Sequence, residues 1–316
     1  MLANNYQKVV IVTRKTMLEE LIERHGTRDQ AAFLLKNRGQ SIDDFEDAHL
    51  RYTHALQTLK TAIPSSVRQQ IIERNFLPNF LFGQHDLVIT LGQDGLVVNT
   101  AKYLQQQPIV AFNPDPDRID GVLIPFTMET ARASVAAALV DALPQKQITM
   151  ARAQLDDGQT LDAVNDLFVG VQGHASARYQ LGFRKKMEEQ SSSGIIISTG
   201  AGSTGWFRSI VTGAYGVAGN FVEKKELTDF RDKYRFDMEA DELRFSVREP
   251  FISNTSQAEM IFGRIRSKDT LEIISRMPQR GIIFSDGMES DFIKFESGMC
   301  AKITVAQRKV HLFWKT

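Results

Sequence analysis

The chain has 316 residues, enough for two domains of ordinary size, and its 42% hydrophobic and 24% charged residues are those of a water-soluble globular protein. Its 38 basic and 38 acidic residues cancel, so there is no overall attraction to nucleic acid or to an anionic membrane. The single cysteine, Cys300, excludes an intramolecular disulfide, disfavours a Cys-based zinc site and fits a reducing compartment.

The first residues, Met-Leu-Ala-Asn-Asn, lack the basic flank and apolar stretch of a secretory signal. No apolar run reaches membrane-spanning length, since the Ala-rich stretch after Arg132 is interrupted by Asp141. A cytoplasmic protein with no membrane and no nucleic-acid partner is expected. Lys8 to Thr13 is a short β-branched run that suits a buried first strand. Two short helical segments follow, then a longer helix from about Ser41, a plausible N-cap. Ile42, Phe45, Ala48, Tyr52, Ala55, Leu56, Leu59 and Ile63 fall on one face of it, and Pro64 ends it. Val67 to Arg74 reads equally as strand or helix. Asp86 to Leu91 is a second buried strand, followed by a Gly-rich turn and a helical stretch to about Gln107. Pro108 to Phe112 is the next strand and Met128 to Leu143 a helix. Alternating strands and helices predict a parallel sheet with helices packed on it.

The pattern changes after Pro144. Short β-rich runs are expected at Gln147 to Leu155, Asp166 to Val171, Ala177 to Phe183, Gly194 to Thr199, Leu243 to Val247, Thr270 to Met277 and Gly281 to Ser285. Asp157-Gly158 and Asp286-Gly287 are hairpin candidates. One helix is expected from Trp206 to Ala218, and the charged stretch Glu223 to Glu242 reads as an exposed helical insertion. The boundary near Pro144 divides an α/β domain, residues 1–144, from a β-rich domain, residues 145–316, whose C-terminal end is a candidate to pack back on the first domain.

Two glycine-rich loops carry the chemistry. Gly92-Gln93-Asp94-Gly95 lies between a strand and a helix, where backbone N–H groups and the positive helix end converge on one spot. An Asp there repels a phosphate unless it holds a metal or takes a proton from an attacking hydroxyl. A plain turn of Gly and Asp is the competing reading. Thr199-Gly200-Ala201-Gly202-Ser203-Thr204-Gly205-Trp206 repeats the strand, loop and helix order. Ser203 and Thr204 can cap the helix or face a ligand, and Trp206 can stack on a base or close a core. Between the loops, Asn165 and Asp166 pair an amide with a carboxylate at the start of a strand; this suits ribose hydroxyls or an adenine edge, or else a simple turn. Arg184-Lys185-Lys186 reads as a solvated hairpin end, and the six histidines show no metal spacing.

Taken in order, Gly92-x-Asp94-Gly95, the strand ending in Asn113, Asn165-Asp166 and Thr199-x-x-Gly202-Ser203-Thr204 resemble the motifs of the NAD kinases. Arg248-Glu249-Pro250 and Ile282 to Gly287 are similar to further elements of that family. Asn113 to Arg118 and Ser192-Ser193-Gly194 are most similar to its mitochondrial-type branch. The resemblance runs from about Val9 to the C-terminus. It implies an N-terminal Rossmann-like α/β domain, a C-terminal β-sandwich-like domain and an active site in the cleft. It also implies a homodimer or higher homo-oligomer, and transfer of the γ-phosphoryl group of ATP to the 2′-hydroxyl of NAD with Mg²⁺.

Residue by residue, Asp94 matches the catalytic Asp, and Gly92, Gln93 and Gly95 occupy the phosphate loop. Asn113, Gly202, Ser203 and Thr204 match nucleotide-binding positions, and Asn165, Asp166, Thr199, Gly205 and Trp206 dinucleotide-binding ones. Asp166 stands for the family's usual Glu, and Gly205-Trp206 for its Ala-Tyr. The first motif departs more sharply, with Gln93 for glycine and Leu96 for threonine. Gln93 is expected to hinder a positive φ and close phosphate approach, and Leu96 removes a hydroxyl. A kinase of the same superfamily with a sugar or lipid acceptor, or a non-catalytic nucleotide sensor, are the competing functions.

Overall fold

The computed structural model describes residues 5–221, 233–288 and 291–315. The chain forms two compact units, Met1–Lys146 with His311–Thr316, and Gln147–Val310.

In the first unit the order is β1 (Lys8–Thr13), α1 (Met17–His25), α2 (Arg28–Asn37), α3 (Asp43–Ala62), β2 (Arg68–Glu73), β3 (Asp86–Leu91), α4 (Asp94–Ala101), β4 (Ile109–Asn113), β5 (Phe126–Thr127) and α5 (Ala131–Ala138). The strands pair in parallel in the order β2-β1-β3-β4. Val67 to Arg74 thus resolves as strand, because β2 adds to β1 with Ile71 opposite Ile11. The β-branched run of β1 is fully buried: Val9, Ile11, Leu87, Ile89, Val110 and Phe112 form one core with Ala55 and Leu59 of α3 and Val135 and Ala138 of α5. Thr16 caps α1 in a capping box with Glu19. Ser41 lies just outside α3, where its hydroxyl accepts the Asp43 N–H. The expected helix over 128–143 is shorter. Residues 128–130 form a 3₁₀ turn, α5 ends at Ala138, and Asp141 takes a positive φ of 52° while its carboxylate accepts from Asn5 Nδ2 and the Tyr6 hydroxyl.

The second unit begins within the first strand and ends within the last strand of the order β6 (Gln145–Leu155), β7 (Thr160–Ala163), β8 (Asp166–Val171), β9 (Ala177–Phe183), β10 (Lys186–Ser192), β11 (Ile195–Ser198), α6 (Trp206–Ala218), β12 (Glu242–Val247), β13 (Phe262–Arg266), β14 (Leu271–Ser275), β15 (Gly281–Ser285), β16 (Ile293–Lys294) and β17 (Cys300–Phe313). One antiparallel sheet runs β13-β12-β11-β8-β15-β16. A second antiparallel set pairs β10, β9, β14 and β17, with β6 on β17 and β7 on β6. Leu167, Val169, Ile195, Ile197 and Phe245 from the first set meet Tyr179, Leu181, Leu271, Ile273 and Ile303 from the second in one buried core. This is the two-layer solution for sheets with one apolar face each.

Asp157-Gly158 closes the β6–β7 hairpin, with Gly158 at φ 89°. Arg184 and Lys185 form the tip between β9 and β10 with φ of 47° and 67°. Residues 233–241 correct the expected helical insertion. They run as turns and irregular chain into β12, held by the Thr149 N–H on the Met238 carbonyl and by Arg244 on the Lys233 and Tyr234 carbonyls. The rest of that insertion, 223–232, lies outside the described residues. Among the described residues no helix is long and apolar enough to cross a membrane.

Candidate functional site

Two groups of residues, one in each unit, collect the polar chemistry. In the first unit β1 and β3 lie side by side, and the connection leaving β1 runs outward to β2 while the one leaving β3 runs the opposite way to β4. Ligands of open α/β sheets bind at the carboxyl ends of strands at such a point. The Gly92–Gly95 loop stands there. The Gly92 N–H donates to the Phe112 carbonyl, and Gly92 has φ 158°. A Cβ on Gly92 would stand 3.2 Å from Leu96 Cδ2, whereas one on Gly95 would meet nothing within 4 Å.

Asp94 is the first residue of α4. Its Oδ2 accepts the Val122 N–H and its Oδ1 the Leu123 N–H, both at 2.9 Å. The carboxylate is therefore fixed in place by a loop that sequence reasoning did not mark, since any residue supplies a backbone N–H. Gly121 gives room beside it, because a Cβ there would lie 2.0 Å from Ile124 Cγ1 and 3.3 Å from Asp94 Oδ1.

One expected obstacle in this loop, a strained backbone at Gln93, is corrected. Gln93 caps α4 with φ −88° and ψ 168°, an extended conformation open to any residue, and its exposed side chain accepts a hydrogen bond from Arg14. Leu96 is 3% exposed, and its Cδ2 lies against the loop itself, 3.2 Å from where a Cβ on Gly92 would stand. Asn113 is also occupied. Its Nδ2 donates to the Ile119 carbonyl and its Oδ1 accepts the Asp115 N–H, so the amide shapes the turn after β4.

In the second unit Asn165, Asp166, Thr199, Gly202 and Asp286 converge. The Thr199 hydroxyl donates to the Val164 carbonyl and accepts the Gly202 N–H, while the Thr199 N–H donates to the Asn165 carbonyl. Gly200 and Gly202 are required by chain crossing. A Cβ on Gly200 would be 2.1 Å from the Asp237 carbonyl oxygen, and one on Gly202 2.0 Å from that of Asn165. Neither Ser203 nor Thr204 caps α6; Gly205 holds that position without a side-chain bond. The two hydroxyls instead donate back to the Gly200 and Ala201 carbonyls within a 3₁₀ turn. Trp206 stacks on Phe168 and Phe284, with ring centroids 5.7 and 6.3 Å away, and the Arg248 guanidinium lies 5.3 Å from its own centroid. It closes a small apolar cluster, as one of its two sequence readings had it.

Asp286, marked in the sequence only as a hairpin residue, has φ 58° and aims its carboxylate at the start of β8. It accepts the Asn165 N–H at 2.7 Å and the Val164 N–H at 3.2 Å. The Asn165 amide itself has no hydrogen-bond partner among the described residues and is half-buried, which leaves it open to a ligand. Asp166 is buried beside it. Burial, and secondarily the charge of Asp286, push its carboxyl up to about 7.

A carboxyl raised in this way binds a proton in the folded chain that the unfolded chain has already released. Its stabilising effect is full below about pH 4 and is lost as pH rises through about 7. The melting temperature of the wild type should therefore fall between pH 5 and pH 8. In Asp166→Asn that fall should shrink by the equivalent of a few kcal/mol at most. Thermal melts of both proteins at the two pH values check it, and parallel curves would rule the titration out.

A parallel α/β unit with a glycine loop at the switch point, joined to an antiparallel two-layer β unit with a second glycine loop, defines a two-domain α/β plus β architecture. Its closer description is the NAD kinase fold. The chain is similar to yeast NADH kinase, solved in complex with NADH, with a TM-score of 0.63 and 12% sequence identity over 99% of this chain and 84% of that one. It is also similar to the NAD kinase from Archaeoglobus fulgidus, solved in complex with ATP, with a TM-score of 0.58 and 14% identity over 97% and 93% of the two chains. No protein-family model and no curated protein sequence matches the chain.

Proposed function

We propose that the protein is a phosphotransferase of the NAD kinase type, which moves the γ-phosphoryl group of ATP to the 2′-hydroxyl of the adenosine ribose of NAD and yields NADP. The observation that carries this reading is the Asp94 carboxylate, held by two backbone N–H groups at the head of α4 within a glycine loop. Each oxygen keeps a lone pair for a further partner. The acceptor oxygen forms its bond to the γ-phosphorus, ADP leaves, and the hydroxyl proton passes to Asp94. In the second unit Asn165, with its amide open, and Asp166 bind the dinucleotide. Thr199 and Gly202 act through the backbone they hold beneath that pair.

Among the described residues no group of three or more His, Cys, Asp or Glu could hold a metal ion. Mg²⁺ accompanying ATP would therefore ride mainly on the substrate phosphates, as is usual for that ion, with Asp94 the acid of the glycine loop that could complete its shell. When bound with ATP it neutralises phosphate charge.

ADP release measured with NAD, NADH and a panel of sugars and lipids tests the reading. NAD-dependent release supports it; release with a sugar or lipid alone moves the protein to another acceptor, and ATP binding without release makes it a sensor. Asn165→Ala should weaken NAD binding by about two- to tenfold, the value of roughly 0.5–1.5 kcal/mol for a neutral hydrogen bond. Its melting temperature should match wild type. Calorimetry that gives an unchanged NAD affinity would reduce the pair to a turn.

A further inference from the structure

The first unit has a pocket that no motif marks. It opens at the carboxyl end of β1, lined by Thr13, Arg14, Lys15, Tyr52, His49 and Glu73 among others, with a volume of about 690 Å³. Arg14 forms its border with the Gly92–Gly95 loop. The Arg14 Cδ lies 3.8 Å from where a Gly92 Cβ would be, and its Nη1 donates to Gln93 Oε1 at 3.2 Å. The backbone beneath is locked. The Arg14 N–H donates to the Tyr52 hydroxyl, which donates to the Leu91 carbonyl, tying the ends of β1 and β3 through α3.

The electrostatics single out this guanidinium. Three carboxylates line the same pocket; only Glu23 has a cation for a partner and the other two accept from neutral groups, so of the pocket's Lys and Arg side chains Arg14 is the one not already in an ion pair. Glu23 is paired with Lys15 at 2.7 Å, Glu19 accepts from the Thr16 N–H and hydroxyl, and Glu73 accepts from Asn75. His49 is turned to the Thr16 hydroxyl. Arg14 has no carboxylate partner among the described residues, only the neutral amide of Gln93. A neutral acceptor fixes the direction of a guanidinium and leaves its charge uncompensated, which suits a planar donor meant for a phosphate. A glycine at position 93 could not do this.

We infer that Arg14 is the cation that holds the terminal phosphate of the phosphoryl donor beside the Gly92–Gly95 loop, and that Gln93 is its positioning residue. The ligand class is a polyphosphate chain, as in a nucleoside triphosphate. The inference rests on the phosphotransferase reading for its place in the reaction, but the binding site stands on its own geometry.

The test is calorimetry with ATP, inorganic tripolyphosphate and NADH on the wild type and on Arg14→Ala, Gln93→Glu and Gln93→Gly. Arg14→Ala should weaken ATP and tripolyphosphate about tenfold to hundredfold, the worth of one or two charge-assisted hydrogen bonds, and leave NADH unchanged. Gln93→Glu, an exposed change that does not threaten folding, places a carboxylate on the guanidinium and should weaken the same two ligands to a similar degree. Gln93→Gly should weaken them less, since it frees Arg14 without neutralising it. Wild-type affinity for both phosphates in Arg14→Ala or in Gln93→Glu would overturn the assignment, as would a wild type that binds no tripolyphosphate. An Arg14-dependent tripolyphosphate affinity in a protein that releases no ADP with any acceptor would keep the site and remove the phosphotransferase reading. NAD phosphorylation unaffected by Arg14→Ala would do the reverse.

Discussion

Asp94→Asn should lower kcat by about 10²–10⁴-fold, the usual cost of removing a general base, with dinucleotide affinity changed little. The structure refines what else this change does. The carboxylate accepts two N–H groups, one on each oxygen. In the Asn variant one position becomes an NH₂ donor facing the Val122 or Leu123 N–H, so one hydrogen bond of about 0.5–1.5 kcal/mol is lost and the 121–123 loop loosens. A modest fall in melting temperature should therefore accompany the loss of rate. Asp94→Glu separates the two effects. It keeps the charge, but its longer side chain moves the oxygens off both N–H groups, so stability should fall as in Asn while more of the rate survives. Steady-state kinetics with thermal melts on the three proteins decide the matter, and full turnover in the Asn variant would sink the general-base role.

Where apolar residues point inward, the sequence and the structure agree closely: the expected Asp86–Leu91, Asp166–Val171, Ala177–Phe183 and Gly281–Ser285 are β3, β8, β9 and β15 to the residue. The strand Lys186–Ser192 was not legible, because its inward positions are Glu188, Gln190 and Ser192. Their burial is made possible by partners distant in the chain: the N–H groups of Glu259 and Met260 for Glu188, and the Tyr179 hydroxyl for Ser192. The last strand escaped for a related reason, since Gln307-Arg308-Lys309 interrupts its alternation. At the candidate site the residues that the sequence singled out by an acid, an amide or a glycine in an unusual place, Asp94, Asn165, Asp166 and Gly202, stand at the two loops. What holds them was not legible. Asp94 is clamped by backbone N–H groups, and Arg14 follows a strand like any basic residue at a sheet end. Even the glycines carried a message that sequence could not separate, because close approach to a phosphate and close approach to a neighbouring chain demand the same residue.

Gly202→Ala separates those two demands. If Gly202 served only phosphate approach, an alanine would leave the free protein as stable as before and harm nucleotide binding alone. The structure gives the other answer. A Cβ at Gly202 would stand 2.0 Å from the Asn165 carbonyl oxygen and 2.5 Å from its carbon, and backbone cannot swing aside as a side chain does. That same carbonyl accepts the Thr199 N–H at 2.9 Å, and the Asn165 N–H is held by Asp286 at 2.7 Å, so the segment is fixed from both sides. Relief must come from parting the loop from the start of β8, which breaks these bonds and shifts Asn165 together with Asp166. We expect a loss of about 4 kcal/mol or more, in the range reserved for backbone clashes and buried network failure. At roughly 2–4 °C per kcal/mol for a chain portion of this size, that means a melting temperature lower by about 8 °C or more without any ligand present. Gly213→Ala is the matched control. It lies inside α6 with nothing within 4 Å of its Cβ position, so the same substitution should stabilise by up to about 1 kcal/mol through helix propensity. A Gly202→Ala protein that melts with the wild type but binds nucleotide poorly would return the second loop to the phosphate-approach reading.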